Sequence, residues 1–396
     1  MSLEQRLDDL RARGLLRSLR HVESAQGARL VVDGRPVLGL CSNNYLGLAG
    51  EPRVRDAAAE AALRWGAGAG ASRLVSGTMS VHDDLERRLA AFKGTEAALL
   101  FGSGYLANVG VVTALAQAGP PEPVVFSDAL NHASIIDGCR LARARTFVYR
   151  HRDLEHLTWG LQGARGHAAV IVTDSVFSMD GDVAPLVALI ELARRHGARL
   201  VVDEAHGTGC LGPGGRGAVH AAGVQDEVDV VVSTLGKALG SYGAFAACDA
   251  TTARWLLNAA RPFVFSTALP PPVVAAAGAA LGVLQDEPER VSRLQANAAL
   301  LRAELARAGL PGAGSTTQIV PLIVGDAGEA VRACELALER GVFAQAIRPP
   351  TVPEGTSRLR LAVMATHTEA DLRAAAATLA SAAAAVGAGA VQPRAA

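Results

Sequence analysis

The feature that most constrains this chain is a series of strand-length apolar runs, at residues 124–128, 146–149, 168–173, 199–203, 228–234 and 243–247, set between helix-like segments. Most are uninterrupted rather than alternating, as strands are when helices cover both faces of a largely parallel sheet. Segments 185–196 and 251–260 suit such covering helices, so the sequence predicts a large α/β domain.

Beyond Phe265 the pattern changes. Pro270, Pro271 and Pro272 open an alanine-rich helix, and a long amphipathic stretch covers 288–308. Short strands at 318–324, 342–347 and 358–363, with helices at 328–340 and 368–385, predict a smaller α+β domain. Residues 1–20 alternate charges with leucines as an amphipathic helix does, without the apolar block of a secretory signal. The expected organisation is an N-terminal helical arm at 1–44, a large domain at 45–285 and a small C-terminal domain at 286–396.

Composition narrows the function. The 38 basic and 38 acidic side chains cancel, leaving no electrostatic footprint for nucleic acid. Cys41, Cys139, Cys210, Cys248 and Cys334 are scattered and form no CxxC pair, which predicts free thiols in a reducing cytoplasm and no zinc site. The uncharged stretch 374–391 is mostly alanine and predicts a packed helix rather than a membrane span.

Only Lys93 and Lys237 among the 38 basic residues are lysines. Arginine serves at most surface positions but cannot form an imine or deprotonate near neutral pH, so a lysine kept in this background is a candidate for chemistry. Lys93 follows Leu85, Leu89 and Phe92 at helical spacing and precedes Gly94, a C-cap glycine, so it has a structural reading as the end of a helix. Lys237, in VVSTLGKALG, follows a buried strand between glycines that let the backbone approach a planar ligand. Desolvated at a strand end, it can shed its proton and act as a nucleophile.

Three other segments carry chemistry. RLVVDEAHGTG ends an apolar strand at Asp203, with His206 three residues on. Asp203 can keep a pyridine nitrogen protonated, or simply cap the strand; a metal on Asp203, Glu204 and His206 is disfavoured because adjacent strand residues point apart. In FGSGYLANVG, glycines precede a helix start whose amides suit a phosphate, although ordinary strand-to-helix turns look alike. In NHAS, His132 starts a helix, where it can stack on an aromatic cofactor or serve as a local hydrogen-bonding group.

Taken together with SNNYLGL, GAGASRLVSGT, DSVFSMDGDVAPL, DEAHGTGCLGPGGRG and FSTALPP, these strings make the chain resemble the α-oxoamine synthases over nearly its whole length. The resemblance implies a fold-type-I pyridoxal-phosphate transferase. Lys237 would carry pyridoxal 5'-phosphate as a Schiff base, Asp203 would pair with the ring nitrogen, and His132 would stack on the ring beside the substrate. Ser178 and His206 would bond the ring hydroxyl region. The Gly104 and Tyr105 amides and Thr234 would hold the phosphate, and Thr267 would reach it from the other subunit of a homodimer. Asn43 and Arg360 match positions that grip the amino-acid carboxylate, and Arg17 and Thr351 match other substrate-binding positions, with Arg20 a neighbouring alternative to Arg17.

Within that family, AIRPPTVPEGTSRLRL at 346–361 resembles the biotin-pathway branch, which condenses L-alanine with a pimeloyl thioester on coenzyme A or an acyl carrier protein. Arg348 is a candidate partner for the distal carboxylate. The alternatives are the glycine-using acetyltransferase branch, a bifunctional synthase, an aminotransferase sharing Lys237 and Asp203, and a catalytically silent partner subunit.

Overall fold

The computed structural model describes residues 2–118, 123–310 and 314–388. In chain order the strands are β1 (Arg29–Val32), β2 (Arg35–Gly39), β3 (Ala97–Phe101), β4 (Val124–Asp128), β5 (Arg145–Tyr149), β6 (Ala169–Asp174), β7 (Arg199–Asp203), β8 (Val230–Thr234), β9 (Ala244–Cys248), β10 (Ile319–Gly325), β11 (Val342–Phe343), β12 (Gln345–Ile347) and β13 (Ser357–Ala362). Two compact units emerge. One combines residues up to Gly50, Ser178–Asp182 and residues from Ser292 onward; the other combines Glu51–Phe177 and Val183–Val291.

The second unit holds a seven-stranded sheet of order β3-β9-β8-β7-β6-β4-β5. β5, β4, β6, β7 and β8 pair in parallel, and β9 runs antiparallel to both β8 and β3. Successive side chains go to opposite faces. Val125, Val170, Val172, Val201, Val230 and Val232 join one core with Ala107 and Val111 of the helix Gly104–Ala116. Val124, Phe126, Ile171, Leu200, Val202 and Val231 join another with Leu189 and Ile190 of the helix Leu186–His196. Burial on both faces is why the runs lack polar alternation, and each large side chain contributes about 2 kcal/mol of transfer free energy. β3 was absent from the predicted strands, its Ala97-Ala98 start diluting the apolar signal.

In the first unit, β1 and β2 form a hairpin whose turn, Asp33-Gly34, has φ of 48° and 75°. Two positive φ values match the right-handed twist of paired strands, and Asp-Gly is a favoured sequence for it. β2 continues in parallel with β11, while β10, β13 and β12 form an antiparallel sheet. Leu301, Leu305, Val320, Leu322, Leu359, Leu361, Leu372 and Leu379 fill the core of this unit. His367 is buried there, Nε2 donating to the Gly39 carbonyl at 2.9 Å and Nδ1 accepting from the Met364 amide at 3.0 Å.

Two sequence expectations need correction here. The N-terminal helix is Leu3–Ala12 rather than 1–20, and it buries no side chain; the chain leaves it through Gly14 at φ 64°. The segment up to Gly50 does not stand apart as an arm, because β2 pairs with β11. The uncharged C-terminal stretch forms the helix Glu369–Ala385, with Ala375, Ala376, Leu379, Ala382 and Ala383 buried, and residues 389–391 lie outside the described residues. No helix among the described residues is long and apolar enough to cross a membrane.

Candidate active site

Parallel sheets place ligands at the carboxyl ends of their strands. Here β4, β6, β7 and β8 end in Asp128, Asp174, Asp203 and Thr234, and Asp174 is directly in register with Asp203. Asp203 is 6% exposed; Oδ2 accepts from Asn108 Nδ2 at 2.6 Å and Oδ1 from the Ala205 amide at 2.7 Å. Asn108 also donates to Ser134 Oγ at 2.9 Å, so the helices Gly104–Ala116 and Ala133–Ala142 both help to fix this carboxylate. Burial, reinforced by the charge of Asp203, pushes the Asp174 carboxyl well above the usual carboxylate range, with Lys237 opposing the shift.

Lys237 lies in the loop after β8, half-buried, with Nζ 2.9 Å from His206 Nε2. His206 is itself buried. His132 caps the helix Ala133–Ala142: its Nδ1 accepts from the Ser134 amide at 3.2 Å, and its own amide donates to Asp174 Oδ2 at 3.1 Å. Burial lowers the His132 pKa, Asp203 raises it and Lys237 lowers it, so the ring is held toward its neutral form.

The β3-to-helix turn leaves open amides that could cradle an anion. Ser103 caps the helix by accepting from the Leu106 amide at 3.2 Å, and the Gly104 and Tyr105 amides have no acceptor among the described residues. A Cβ built on Gly104 would lie 3.8 Å from Thr234 Cβ, so the cradle adjoins the end of β8. Ser175 Oγ and Asn108 Oδ1 are also buried without a hydrogen-bond partner among the described residues. A carboxylate locked at a strand end, an amine beside an imidazole, open helix-start amides and unpartnered polar atoms fit a phosphorylated pyridine aldehyde.

Thr267 lies elsewhere in the same unit, exposed and bridged to Ser72 in antiparallel fashion. The first unit brings together Asn43, Ser178 and Arg360. Arg360 is 7% exposed and donates Nη1 to Asn43 Oδ1 at 3.1 Å, Nη2 to Tyr45 Oη at 3.2 Å and Nε to the Ser178 carbonyl. Arg17 and Thr351 line a cavity of about 350 Å³ with Leu16, Ile347 and Arg348. Arg20 lines it too but is paired with Asp33 and Glu335, whereas Arg17 has no ion-pair partner among the described residues. Arg348 donates to the Gly14 and Leu16 carbonyls, and burial followed by the charge of Arg17 lowers its pKa.

Sequence reasoning did not single out Asn108, Ser134 or Asp174, which hold Asp203 and His132. The available signal was an asparagine on an otherwise apolar helix inside the FGSGYLAN string. The structural reading of Lys93 as a helix end did not extend to a buried partner. Gly94 does cap that helix in the left-handed conformation, but Lys93 is 1% exposed and ion-paired with Glu204 at 2.5 Å.

Comparison with known proteins agrees with this geometry. The family model for aminotransferase class I and II matches residues 35–379. An 8-amino-7-oxononanoate synthase from Citrifermentans bemidjiense is 54% identical over 376 residues, covering 94% of this chain and 95% of that protein. One of the same name from Anaeromyxobacter dehalogenans is 55% identical, covering 92% and 91%. Among solved structures, SPT with a PLP internal aldimine superimposes with a TM-score of 0.91 at 33% identity, covering 98% of this chain and 100% of that one. An 8-amino-7-oxononanoate synthase from Francisella tularensis gives a TM-score of 0.74 at 26% identity, covering 87% and 97%. The chain therefore belongs to the class I and II aminotransferase family of pyridoxal-phosphate enzymes and, within it, to the α-oxoamine synthases.

Proposed function

We propose that this chain is a pyridoxal-phosphate-dependent acyltransferase that condenses L-alanine with a pimeloyl thioester to give 8-amino-7-oxononanoate, carbon dioxide and free thiol, the product for which its curated relatives are named. The observation that carries the reading is Lys237 Nζ at 2.9 Å from His206 in the unit where Asp203 is locked at a strand end by Asn108.

When bound, pyridoxal phosphate supplies an electron sink that makes the alanine Cα acidic enough to deprotonate. The protein's own residues do the rest. Asp203 keeps a positive charge on the ring nitrogen, and Asn108 and the Ala205 amide orient that carboxylate. Lys237 Nζ removes the Cα proton and returns a proton at the end, with His206 holding the amine in line. The Gly104 and Tyr105 amides and Thr234 hold the phosphate, while His132 presents a neutral ring face and Ser178 and His206 serve the ring hydroxyl region. Arg360, braced by Asn43 and Tyr45, grips the alanine carboxylate. Arg17, Thr351 and Arg348 serve the acyl substrate, and the last matches the distal carboxylate of a pimeloyl group.

Thr267 serves the phosphate of a second copy of the chain. Support comes from its exposed position and from Leu74, Val75, Tyr105, Tyr242 and Phe265, large apolar side chains of the same unit left exposed. Mixed Thr267→Ala and Lys237→Ala proteins, each impaired alone, should then recover activity on subunit exchange; full activity from a monomer would contradict the dimer. The cytoplasm is the compartment that fits five free cysteines.

Substrate choice is tested by kcat/KM for acyl thioesters of graded length with alanine or glycine. Four extra methylenes at about 0.8 kcal/mol each predict roughly a hundredfold preference for pimeloyl over acetyl donors. Equal use of acetyl-CoA with glycine would place the chain in the glycine-using acetyltransferase branch instead.

A further inference from the structure

We infer that Lys93 is a positioning residue for the active-site turn, holding Asp203 and His206 in their working geometry through Glu204; the inference rests on the pyridoxal-phosphate reading above. An ammonium has three protons and no acceptor. Lys93 Nζ meets three acceptors, Glu204 Oε2 at 2.5 Å, Thr208 Oγ1 at 2.7 Å and the Arg216 carbonyl at 2.6 Å. A planar guanidinium fork does not reproduce that compact set, which accounts for a lysine here in an arginine-dominated chain.

The partners flank the catalytic turn. Glu204 directly follows Asp203, and Thr208 lies two residues beyond His206. The Glu204 amide donates to the Val232 carbonyl at 2.7 Å, and the Glu204 carbonyl accepts from the Gly207 and Thr208 amides, both at 2.9 Å. Glu204 Oε1 accepts from the Val219 amide at 2.7 Å. Gly217, at φ 111°, seals the remaining side: a Cβ there would lie 2.0 Å from Glu204 Oε2. The turn is thus tied at both ends to one buried cation, with His206 between the ties and pointing to Lys237.

Stability alone is a weak reason for such a pair. Replacing a buried ion pair with apolar side chains of similar volume is often neutral or stabilising, so what it provides here is geometry. Burial lowers the Lys93 pKa and Glu204 opposes the shift.

The test compares wild-type holoenzyme with Lys93→Met/Glu204→Met, which removes both charges while keeping volume, and with Thr208→Val, which leaves the ion pair intact. Urea unfolding of the apoprotein reads stability. The pH midpoint of the visible cofactor band reads the surroundings of Lys237, which is within electrostatic reach of His132, Asp174 and Cys210 besides its contact with His206. The double variant should fold with near wild-type stability, lose about tenfold or more in kcat with KM for both substrates little changed, and shift the band midpoint. Thr208→Val should shift it the same way by less, and decides the matter if the double variant does not fold. An unmoved midpoint and kcat in either folded variant would overturn the inference. A wild-type protein without any visible band on adding pyridoxal phosphate would instead overturn the underlying reading.

Discussion

Lys93 and Lys237 lie in the same unit, yet their surroundings set opposite fates. Lys93 is 1% exposed with its three protons directed at a carboxylate, a hydroxyl and a carbonyl. Lys237 is half-buried, at the carboxyl end of the sheet, 2.9 Å from an imidazole. An ammonium fully engaged with acceptors keeps its protons and has no lone pair to offer, whereas an amine beside a histidine at a solvent-reachable strand end can lose one and attack a carbonyl. Rarity of a residue type flags a site, and the partners decide whether that site is structural or reactive.

Removing each lysine should therefore break different things. Lys237→Ala should reduce turnover about 10⁴-fold or more while the folded protein keeps its urea midpoint, because the proposed proton carrier at the alanine Cα would be gone. A drop of tenfold or less would erase the contrast. Lys93→Ala should instead cost about 3–5 kcal/mol of unfolding free energy, since it strands the Glu204 carboxylate in the core. An unchanged unfolding free energy would mean that Glu204 does not depend on Lys93 for its charge partner.

Smaller effects sharpen the contrast through neighbouring histidines. His220 has its pKa lowered by burial first and by the charge of Lys93 next, with Glu204 opposing. Lys93→Met should therefore raise the His220 titration midpoint, read by NMR; an unmoved midpoint would place the cation out of reach. His132, His220 and His367 all have pKa values lowered from 6.5 chiefly by burial. Above pH 6.5 folded and unfolded chains are alike neutral at these rings and their contribution is constant. As pH falls below that value the unfolded chain takes up protons that the fold refuses at these rings, so their contribution to unfolding free energy should decline, while the raised Asp174 carboxyl contributes in the opposite sense; NMR midpoints of the three rings at or above 6.5 in the folded protein would contradict the assigned shifts.

The sheet was legible because burial on both faces leaves a one-dimensional trace: β4, β6, β7 and β8 coincide with uninterrupted apolar runs to within two residues. Lys237, Asp203, His206 and His132 were legible as residues at strand ends and a helix start. Three things were not. The β1–β2 hairpin carries its Asp33-Gly34 signal, but Pro36 and the polar flanks mute the alternation around it. Ser178–Asp182 joins the first unit by long-range contacts such as Arg358 with Asp180, which leave no local period. Lys93 shares the apolar face of Leu85 and Leu89, but its partners lie 111, 115 and 123 residues away, so nothing within its own helix names what it pairs with.

Borohydride reduction of the pyridoxal-phosphate-loaded protein tests the central claim most directly, because it converts the carbon–nitrogen double bond between cofactor and lysine into a stable link that peptide mapping can locate. With only two lysines in the chain the result is binary. The label should fall on the peptide carrying Lys237 and not on that carrying Lys93. Label at Lys93, or a visible cofactor band with no label at Lys237, would contradict it.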